Sequence, residues 1–459
     1  MITRTLKEVS HMIHSEMLDS KYSDAVISGI SIDSRSSAKG NLFIPIKGEN
    51  TNGHKYIDNA ISNGCVATLW DKNEPNPPTT IGCILVDDTV EAFQQLAISY
   101  RHALKATFIG ITGSNGKTST KDILAGILSV KYKTQKTLGN HNNELGVPMT
   151  ILSLDEDCQM AVIEMGIESP GELMFLKPMV DPHIGILTSI GPIHIENFDN
   201  IEGIVKEKLQ MTNCLCDNGL FVYNGDIKLI KTEMSEMTLN PTLRLKTFGE
   251  HSSNDLYCKV NKSDEEGVEF STFGEIISNF KTPLLGKHQA FNCLSSILVA
   301  LSLGFTTEEI QEGLYNVDAT GLRNEIIKIG NATILNDSYK SNPQSLLAAL
   351  DILKTLDYPK KIAVLGDMVG LGENYVRLHN EIGEKLTEFG VDELITFGDL
   401  GKLIGDGAQG KVPNVVNFYD KAEAAKYISK YINENCAMLF KASRAVKLEE
   451  IIEKIKELI

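Results

Sequence analysis

The chain has 459 residues, of which 42% are hydrophobic and 23% are charged, and these values exclude a disordered or fibrous protein. At about 100–200 residues per domain, this length predicts two to four domains. Because 60 Asp and Glu residues outnumber 44 Lys and Arg residues, the formal charge is −16, which disfavours general binding to nucleic acid.

The first hundred residues alternate short apolar segments with polar turns, at 25–33, 41–48, 65–70 and 83–88. This alternation predicts strands and a small α/β domain, followed by a helix at 90–104. No apolar segment is long enough for a signal peptide or a membrane span, so we expect a cytoplasmic protein. The 8 cysteines contain no C-x-x-C pair and predict reduced thiols rather than a metal or redox site.

From residue 106 onwards, the pattern is typical of a mostly parallel sheet, with buried strands at 106–112, 160–166, 183–191 and 219–226. Residues 243–285 predict an antiparallel edge, and a third alternating block begins near Leu322. The fold class is therefore α/β with three domains. We expect a small N-terminal α/β domain (1–103), a central P-loop ATPase domain with a mostly parallel sheet (104–320) and a C-terminal Rossmann-like domain (321–459).

A glycine-rich segment lies between the predicted strand 106–112 and a predicted helix, and it reads Thr112-Gly113-Ser114-Asn115-Gly116-Lys117-Thr118. In this order, N–H groups at the helix N-terminus face a triphosphate, Lys117 supplies a positive charge and Thr118 offers a hydroxyl to Mg²⁺. A strict motif would have Gly at position 111, where this chain has Ile111. The segment predicts a nucleotide triphosphate site, with a structural turn as the alternative.

Two candidate metal ligands follow strands of the same predicted sheet. Glu164 ends the strand 160–166, and His194 follows the strand 183–191. Open α/β sheets bind ligands at the carboxyl ends of their strands, so both side chains are candidate Mg²⁺ ligands. The alternatives are a capping or solvated carboxylate for Glu164 and an ordinary loop histidine for His194.

Ten segments, in order along nearly the whole chain, resemble the Mur ligases, the ATP-dependent amide-forming enzymes of peptidoglycan precursor synthesis. They are SIDSR (31–35), TGSNGKTSTKD (112–122), GNHNNELGVP (139–148), VIEMG (162–166), HIENF (194–198), KEKLQM (206–211), GKHQAFN (286–292), LNDSYKSNP (335–343), LGDMVGLGE (365–373) and KASR (441–444). The resemblance implies that ATP activates a carboxylate as an acyl phosphate, which an amine then captures with release of phosphate.

Within the family, the segments are most similar to the member that joins D-Ala-D-Ala to a UDP-N-acetylmuramoyl-tripeptide. A paralogue that adds a different amino acid and a nucleotide-binding scaffold without turnover are the alternatives. The resemblance implies that residues 1–103 hold the UDP-sugar peptide, 104–320 bind ATP and metals, and 321–459 bind the amine. We expect a monomer with small-molecule substrates, without a nucleic-acid partner or membrane insertion.

The resemblance also implies the roles of individual residues. The implied catalytic residues are Lys117, Lys208, His194 and Glu164. The implied ligands of two Mg²⁺ ions are Thr118, Glu164, His194 and Lys208, with Lys208 carbamylated. Besides the glycine-rich segment, the nucleotide site includes Asn143, His288, Asn292, Arg323, Asp337 and Tyr339. The substrates contact Ser34, Arg35, Asn50, His54, Lys441, Ser443 and Arg444.

This chain departs from its relatives in three segments. Gln210 stands where they usually have Glu, Lys340 lies in a Y-K-S-N-P segment that usually reads Y-N-A-N-P, and Ala442 replaces the Gly of K-G-S-R. The last two changes are the reason for keeping the paralogue as an alternative.

Overall fold

The computed structural model describes residues 1–48 and 51–458, and it has the predicted α/β architecture with three domains. In each domain, helices pack on a sheet that is largely parallel. No helix in the described ranges is both long and apolar enough to cross a membrane. All eight cysteines lie within these ranges and are free.

The N-terminal region is built on a sheet of strand order β2-β7-β6-β5-β4, beside an antiparallel β1–β3 pair. Its elements are β1 (Thr3–Thr5), α1 (Leu6–Met12), β2 (Glu16–Met17), β3 (Val26–Ser28), β4 (Ile30–Ser31), β5 (Leu42–Phe43), α2 (Ile57–Ser62), β6 (Ala67–Asp71), β7 (Gly82–Val86) and α3 (Thr89–Ala103). The predicted strand 25–33 is interrupted because Gly29 adopts a φ of +83°, so β3 and β4 enter different sheets. The predicted strand 41–48 is reduced to β5.

The central region contains a sheet of order β16-β15-β14-β13-β12-β11-β8-β10-β9. Its first half comprises β8 (Thr107–Thr112), α4 (Lys117–Leu128), β9 (Thr134–Lys136), α5 (Gly146–Ser153), β10 (Met160–Glu164), α6 (Glu172–Val180), β11 (Ile184–Leu187), α7 (Ile201–Leu209) and α8 (Met211–Cys214). Its second half comprises β12 (Leu220–Asn224), α9 (Lys228–Glu236), β13 (Arg244–Gly249), β14 (Leu256–Asp264), β15 (Gly267–Gly274), β16 (Ser278–Thr282), α10 (His288–Ser302) and α11 (Thr307–Tyr315).

The antiparallel edge predicted at 243–285 is confirmed for β14, β15 and β16, but not for β13, which pairs parallel to β12. Helix α9 lies between β12 and β13 in the chain, and such a crossover returns the second strand parallel to the first. The sheet is covered on both faces by apolar clusters, with Phe108 on one side and Ile109 on the other.

The C-terminal region has the strand order β17-β18-β22-β19-β20-β21, parallel except for the edge strand β17. Its elements are β17 (Glu325–Ile329), β18 (Ala332–Asn336), α12 (Pro343–Thr355), β19 (Lys360–Gly366), α13 (Tyr375–Lys385), β20 (Glu393–Phe397), α14 (Asp399–Ala408), β21 (Asn414–Phe418), α15 (Lys421–Ile428), β22 (Cys436–Lys441) and α16 (Glu449–Glu457). The alternating block that the sequence predicts from near Leu322 onwards is present as β18 to β22. The sequence pattern missed only β17, whose half-exposed residues lack a buried apolar run.

Candidate functional site

The glycine-rich segment joins β8 to α4, in the strand, turn and helix order that the sequence predicts. Gly113 and Gly116 adopt φ values of +145° and +82°, which residues other than glycine rarely adopt. A Cβ on Gly113 would lie 2.0 Å from the Thr188 hydroxyl oxygen, so this close approach requires glycine. The Lys117 ammonium donates to the carbonyl oxygen of Gly113 at 2.7 Å and thus folds back over the turn.

Glu164 ends β10 and is almost fully buried beside the glycine-rich segment. Its Oε2 accepts a hydrogen bond from the Thr118 hydroxyl at 2.9 Å, and its Oε1 accepts one from the Asn142 amide at 2.8 Å. A carboxylate and a hydroxyl are oxygen donors of the type that Mg²⁺ prefers, with phosphate oxygens and water completing the shell. These two residues therefore fit a Mg²⁺ ion bound together with a nucleotide.

A polar cavity of about 370 Å³ opens at the carboxyl edge of the central sheet. It is lined by Gly113, Ser114, Lys117, Asn140, Asn142, Asn143, Glu144, Gly166, Ile167, Glu168, Glu172, Ile193, His194, Lys208 and Lys340. Three of these are lysines on three separate segments of the chain. Because their positive charges converge on one space, the cavity suits a polyanionic ligand such as a triphosphate.

The ionisable groups of the cavity are strongly perturbed. Burial, reinforced by the charge of Lys117, lowers the pKa of Lys208 to about 7, and burial lowers the pKa of Lys117 to about 8. Burial and the neighbouring charge of Lys340 lower the pKa of His194 to about 4, so its imidazole is neutral at pH 7. Perturbed groups gathered in one cavity are typical of a functional site.

His194 adopts a φ of +58° and presents its ring to the third domain. The Lys340 ammonium donates to its Nε2 at 3.2 Å, and the Glu168 carboxylate lies 3.7 Å from the same nitrogen. An ammonium has no acceptor capacity, so Nε2 must act as the acceptor and the ring proton must reside on Nδ1.

The residues predicted at the nucleotide are distributed around the glycine-rich segment. The Asn292 amide lies against it, since a Cβ on Gly116 would be 2.6 Å from Asn292 Oδ1. The Arg323 guanidinium stacks over the Tyr339 ring at 4.4 Å. Within the described residues, Arg323 Nε is buried and has no hydrogen-bond partner, as expected for a donor that awaits a ligand.

His288 begins α10, close to the point where the third domain packs, and burial lowers its pKa to about 4. A Cβ on Gly286 would lie 2.7 Å from its ring and 2.9 Å from Ile352 of α12. His288 is therefore at an interdomain boundary, one turn of helix before Asn292.

Asn143 lines the cavity, but its side chain is engaged in local structure. Its Oδ1 accepts a hydrogen bond from the backbone N–H of Gly146, the first residue of α5. The neighbouring Asn142, which sequence reasoning missed, is the one that holds Glu164. The sequence does show two adjacent asparagines, Asn142 and Asn143, but it does not indicate which of the two amides points towards Glu164.

Lys441 is buried beneath the loop that carries Tyr339 and Lys340. Its ammonium donates to Asp337 Oδ2 at 2.5 Å and to the carbonyl oxygen of Lys340 at 2.8 Å. A buried ammonium needs such a paired carboxylate. Lys441 and Asp337 thus neutralise each other beneath this loop, and their predicted roles at substrate and nucleotide stay predictions.

The other two residues predicted for the amine substrate lie at the end of β22. The Ser443 hydroxyl is buried and accepts a hydrogen bond from the backbone N–H of Val369 at 3.0 Å. Arg444 is largely exposed and pairs with Glu449. Of the two, Arg444 retains a side chain that a substrate can reach.

The predicted N-terminal substrate residues do not line the described part of the cavity. Ser34 is buried and accepts a hydrogen bond from the Asn59 amide at 3.1 Å, whereas the Arg35 side chain is 85% exposed beside Asp33. Asn50 lies outside the described residues.

Both ring nitrogens of His54, a predicted substrate contact, form hydrogen bonds within the N-terminal domain. Nδ1 donates to the Asn52 side chain at 2.7 Å, and Nε2 accepts from the backbone N–H of Asp71 at 3.3 Å. The ring also packs edge-on against Trp70. His54 is thus a buried structural histidine.

The central and C-terminal domains meet at the glycine-rich segment. Asn115 accepts a hydrogen bond from the Asn342 amide at 2.9 Å and donates one to Gln344 at 2.9 Å. The two contacts bring the third-domain loop 337–344 to the mouth of the cavity.

Sequence reasoning also missed three carboxylates and underrated one departure. Glu144 lines the cavity from the segment before α5, and Glu168 and Glu172 line it from the segment after β10, positions that no strand-end pattern predicts. Lys340 was visible only as a departure from its relatives, and its place beside His194 depends on the packing of two domains.

Known proteins and family descriptions match this chain along its length. Three family descriptions match, namely "Mur ligase family, catalytic domain" at residues 26–101, "Mur ligase middle domain" at 111–300 and "Mur ligase, glutamate ligase domain" at 322–444. The UDP-N-acetylmuramoyl-tripeptide--D-alanyl-D-alanine ligase of Bacillus subtilis is 37% identical over 100% of this chain and 99% of its own length. The protein of that name from Escherichia coli is 29% identical over the same shares.

Solved structures show the same similarity in three dimensions. A crystal structure of MurF from Acinetobacter baumannii has a TM-score of 0.86 at 26% identity, covering 99% of both chains. MurF from Thermotoga maritima, in complex with ADP, has a TM-score of 0.79 at 26% identity, covering 94% of this chain and 97% of that one. From its motifs, its fold and these full-length matches, the chain belongs to the Mur ligase family.

Proposed function

We propose that this protein is an ATP-dependent ligase that joins D-Ala-D-Ala to a UDP-N-acetylmuramoyl-tripeptide in peptidoglycan precursor synthesis. The observation that carries the proposal is the polar cavity lined by Lys117, Lys208 and His194, with the hydrogen-bonded Thr118 and Glu164 pair buried beside it and held by Asn142. The full-length similarity to ligases of that name supports the choice of substrates.

The reaction needs an activated carboxylate, because a carboxylate oxygen is a poor leaving group. We propose that the carboxylate attacks the γ-phosphorus of ATP to form an acyl phosphate and ADP. The amine then attacks the acyl carbon and expels phosphate through a tetrahedral intermediate. The task of the site is to neutralise negative charge on the phosphoryl group and the oxyanion, and Lys117 provides a positive charge for it.

Thr118 and Glu164 are the residues that we propose hold Mg²⁺. When bound there, such an ion would supply positive charge that neutralises the phosphoryl group. The Asn142 amide keeps the Glu164 carboxylate oriented. The described residues contain no cluster of three or more His, Cys, Asp or Glu that could hold a metal alone, which suits an ion that arrives with its nucleotide.

Lys208 is the residue that we propose is carbamylated. With a pKa of about 7, a large fraction of its side chain is the neutral amine at pH 7. The amine nitrogen attacks the carbon of CO₂, and loss of a proton leaves a carbamate anion. The resemblance to the family assigns His194 and a carbamylated Lys208 to a second ion, an assignment that the contact of His194 with Lys340 opposes.

The three domains have separate proposed roles. Residues 1–103 hold the UDP-sugar peptide, with Ser34 and the exposed Arg35 at the pyrophosphate. Residues 104–320 bind ATP through the glycine-rich segment, His288 and Asn292. Residues 321–459 supply Arg323 and Tyr339 to the nucleotide, and Ser443 and Arg444 to the dipeptide. We propose a monomer in the cytoplasm with small-molecule substrates and no nucleic-acid partner.

The alternative is a Mur-type paralogue that adds a different amino acid, and Lys340 and Ala442 are the reason for it. The Ala442 side chain, however, is fully buried, and a Cβ on Gly366 would lie 2.8 Å from its methyl group. The added methyl group therefore faces the core of the third domain. This placement favours D-Ala-D-Ala over the paralogue.

A phosphate-release assay with ATP and UDP-N-acetylmuramoyl-tripeptide tests the proposal. We expect release with D-Ala-D-Ala and little with single amino acids, and a product mass equal to that of the joined substrates minus water. When the carboxylate carries ¹⁸O, one labelled oxygen must appear in the released phosphate. Preference for a single amino acid would select the paralogue, whereas unlabelled phosphate would reject the acyl phosphate.

A further inference from the structure

Among the described residues that line the cavity, Lys340 is the one that comes from beyond residue 321. It reaches across the domain boundary and places its ammonium 3.2 Å from His194 Nε2. Every other lining residue belongs to the central region. The third domain thus contributes one positive charge to the cavity.

The backbone of Lys340 is held at this position. The buried Lys441 ammonium donates to its carbonyl oxygen at 2.8 Å and pairs with Asp337. Two residues further on, Asn342 is joined to Asn115 of the glycine-rich segment. Because the loop is fixed on both sides of Lys340, its ammonium arrives at His194 whenever the third domain docks.

The contact uses the same lone pair that a metal would need. Neutral imidazole has one acceptor nitrogen, and here it is His194 Nε2, which accepts from Lys340. A divalent ion and the ammonium cannot share that lone pair. An added ion would also meet the positive charge of the Lys340 ammonium itself, 3.2 Å from the nitrogen that the ion would need.

We infer that the Lys340 ammonium takes the place of a second divalent cation at His194, so that this protein binds one divalent ion with its nucleotide. The inference rests on the proposed function, because it presupposes a nucleotide in the cavity. In this protein, one of the charges that neutralise the phosphoryl group is then delivered by domain docking.

Counting bound Mn²⁺ by electron paramagnetic resonance tests the inference directly. The full-length protein is titrated with Mn²⁺ in the presence of saturating AMP-PNP, in bicarbonate buffer that allows a carbamate to form on Lys208. We expect one tightly bound Mn²⁺ per wild-type chain and two in Lys340→Asn. Lys340→Met removes the charge without adding an oxygen donor and is also expected to bind two.

Lys354→Asn is the matched control, since Lys354 is exposed on α12 and does not line the cavity. It is expected to bind one Mn²⁺, like the wild type. Two tightly bound ions in the wild type, or one in both Lys340 variants, would overturn the inference. If AMP-PNP induced no Mn²⁺ binding in any variant, the nucleotide site of the proposed function would fail as well, and this outcome is distinct from the other two.

Discussion

The cavity in the central domain and the N-terminal segment 31–54 were both predicted to bind substrate, yet the structure treats them differently. In the central domain, Lys117, Glu164 and His194 follow strands β8, β10 and β11, which are neighbours in one parallel sheet. Parallel strands end at the same edge, so these side chains must converge. In the N-terminal segment, Ser34 and His54 are buried in local hydrogen bonds, and Arg35 points to solvent.

The difference shows which sequence signals carry geometric information. A residue at a strand end in a parallel sheet has its position set by the topology of the whole domain. A polar residue in a loop can equally serve the loop. The central predictions should therefore produce large effects on catalysis, whereas the N-terminal ones should divide into effects on stability and effects on substrate affinity.

The prediction for the central cavity fails if Lys117 can be removed without loss of activity. Lys117→Ala deletes a charge that faces the triphosphate, and we expect kcat/KM to fall by about 10³-fold or more, because such preorganised charges act in a water-poor site. The phosphate-release assay measures it. Lys105→Ala, an exposed lysine before β8, is the control and should keep wild-type activity. Undiminished activity of Lys117→Ala would remove the glycine-rich segment from the mechanism.

Glu164→Gln also tests the central cavity, because it removes the negative charge of the side chain but keeps an oxygen that accepts hydrogen bonds. The amide still accepts from Thr118, yet it lacks the negative charge that attracts Mg²⁺. We expect kcat/KM to fall about 10²-fold at fixed Mg²⁺, with a partial recovery as Mg²⁺ is raised. A titration of activity against Mg²⁺ measures both. A Mg²⁺ dependence equal to that of the wild type would exclude Glu164 as a ligand.

The fold and the central half of the site were predictable for a shared reason. Glycines with positive φ, buried strands and polar residues at strand ends are local signals, and the sheet converts them into proximity. The features that could not be predicted from the sequence depend on tertiary packing, which local signals do not determine. Asn142 rather than Asn143 faces Glu164, β13 joins the parallel part of the sheet, and Lys441 is buried rather than presented to substrate. Lys340 reaches His194 only through the docking of two domains.

On the N-terminal side, His54→Ala tests whether this residue is structural. The change removes two hydrogen bonds and an edge-on contact with Trp70 from a buried position. We expect the free energy of unfolding of the N-terminal domain to fall by about 2–3 kcal/mol, with KM for the UDP-linked substrate nearly unchanged. Denaturant unfolding and steady-state kinetics measure the two quantities. A raised KM at wild-type stability would restore the substrate contact.

Arg35→Ala makes the opposite prediction and completes the comparison. The side chain is 85% exposed and pairs with Asp33, and an exposed pair of this kind contributes little to stability, so unfolding should be unchanged. If Arg35 binds the pyrophosphate, loss of a charge-assisted hydrogen bond should raise KM for the UDP-linked substrate by about 10-fold with kcat retained. Arg35→Lys keeps the charge without the bidentate geometry, so its KM should lie between those of the wild type and Arg35→Ala. An unchanged KM in Arg35→Ala would remove Arg35 from the predicted contacts, and the prediction would then depend on Ser34, whose hydroxyl already accepts from Asn59, and on Asn50, which lies outside the described residues.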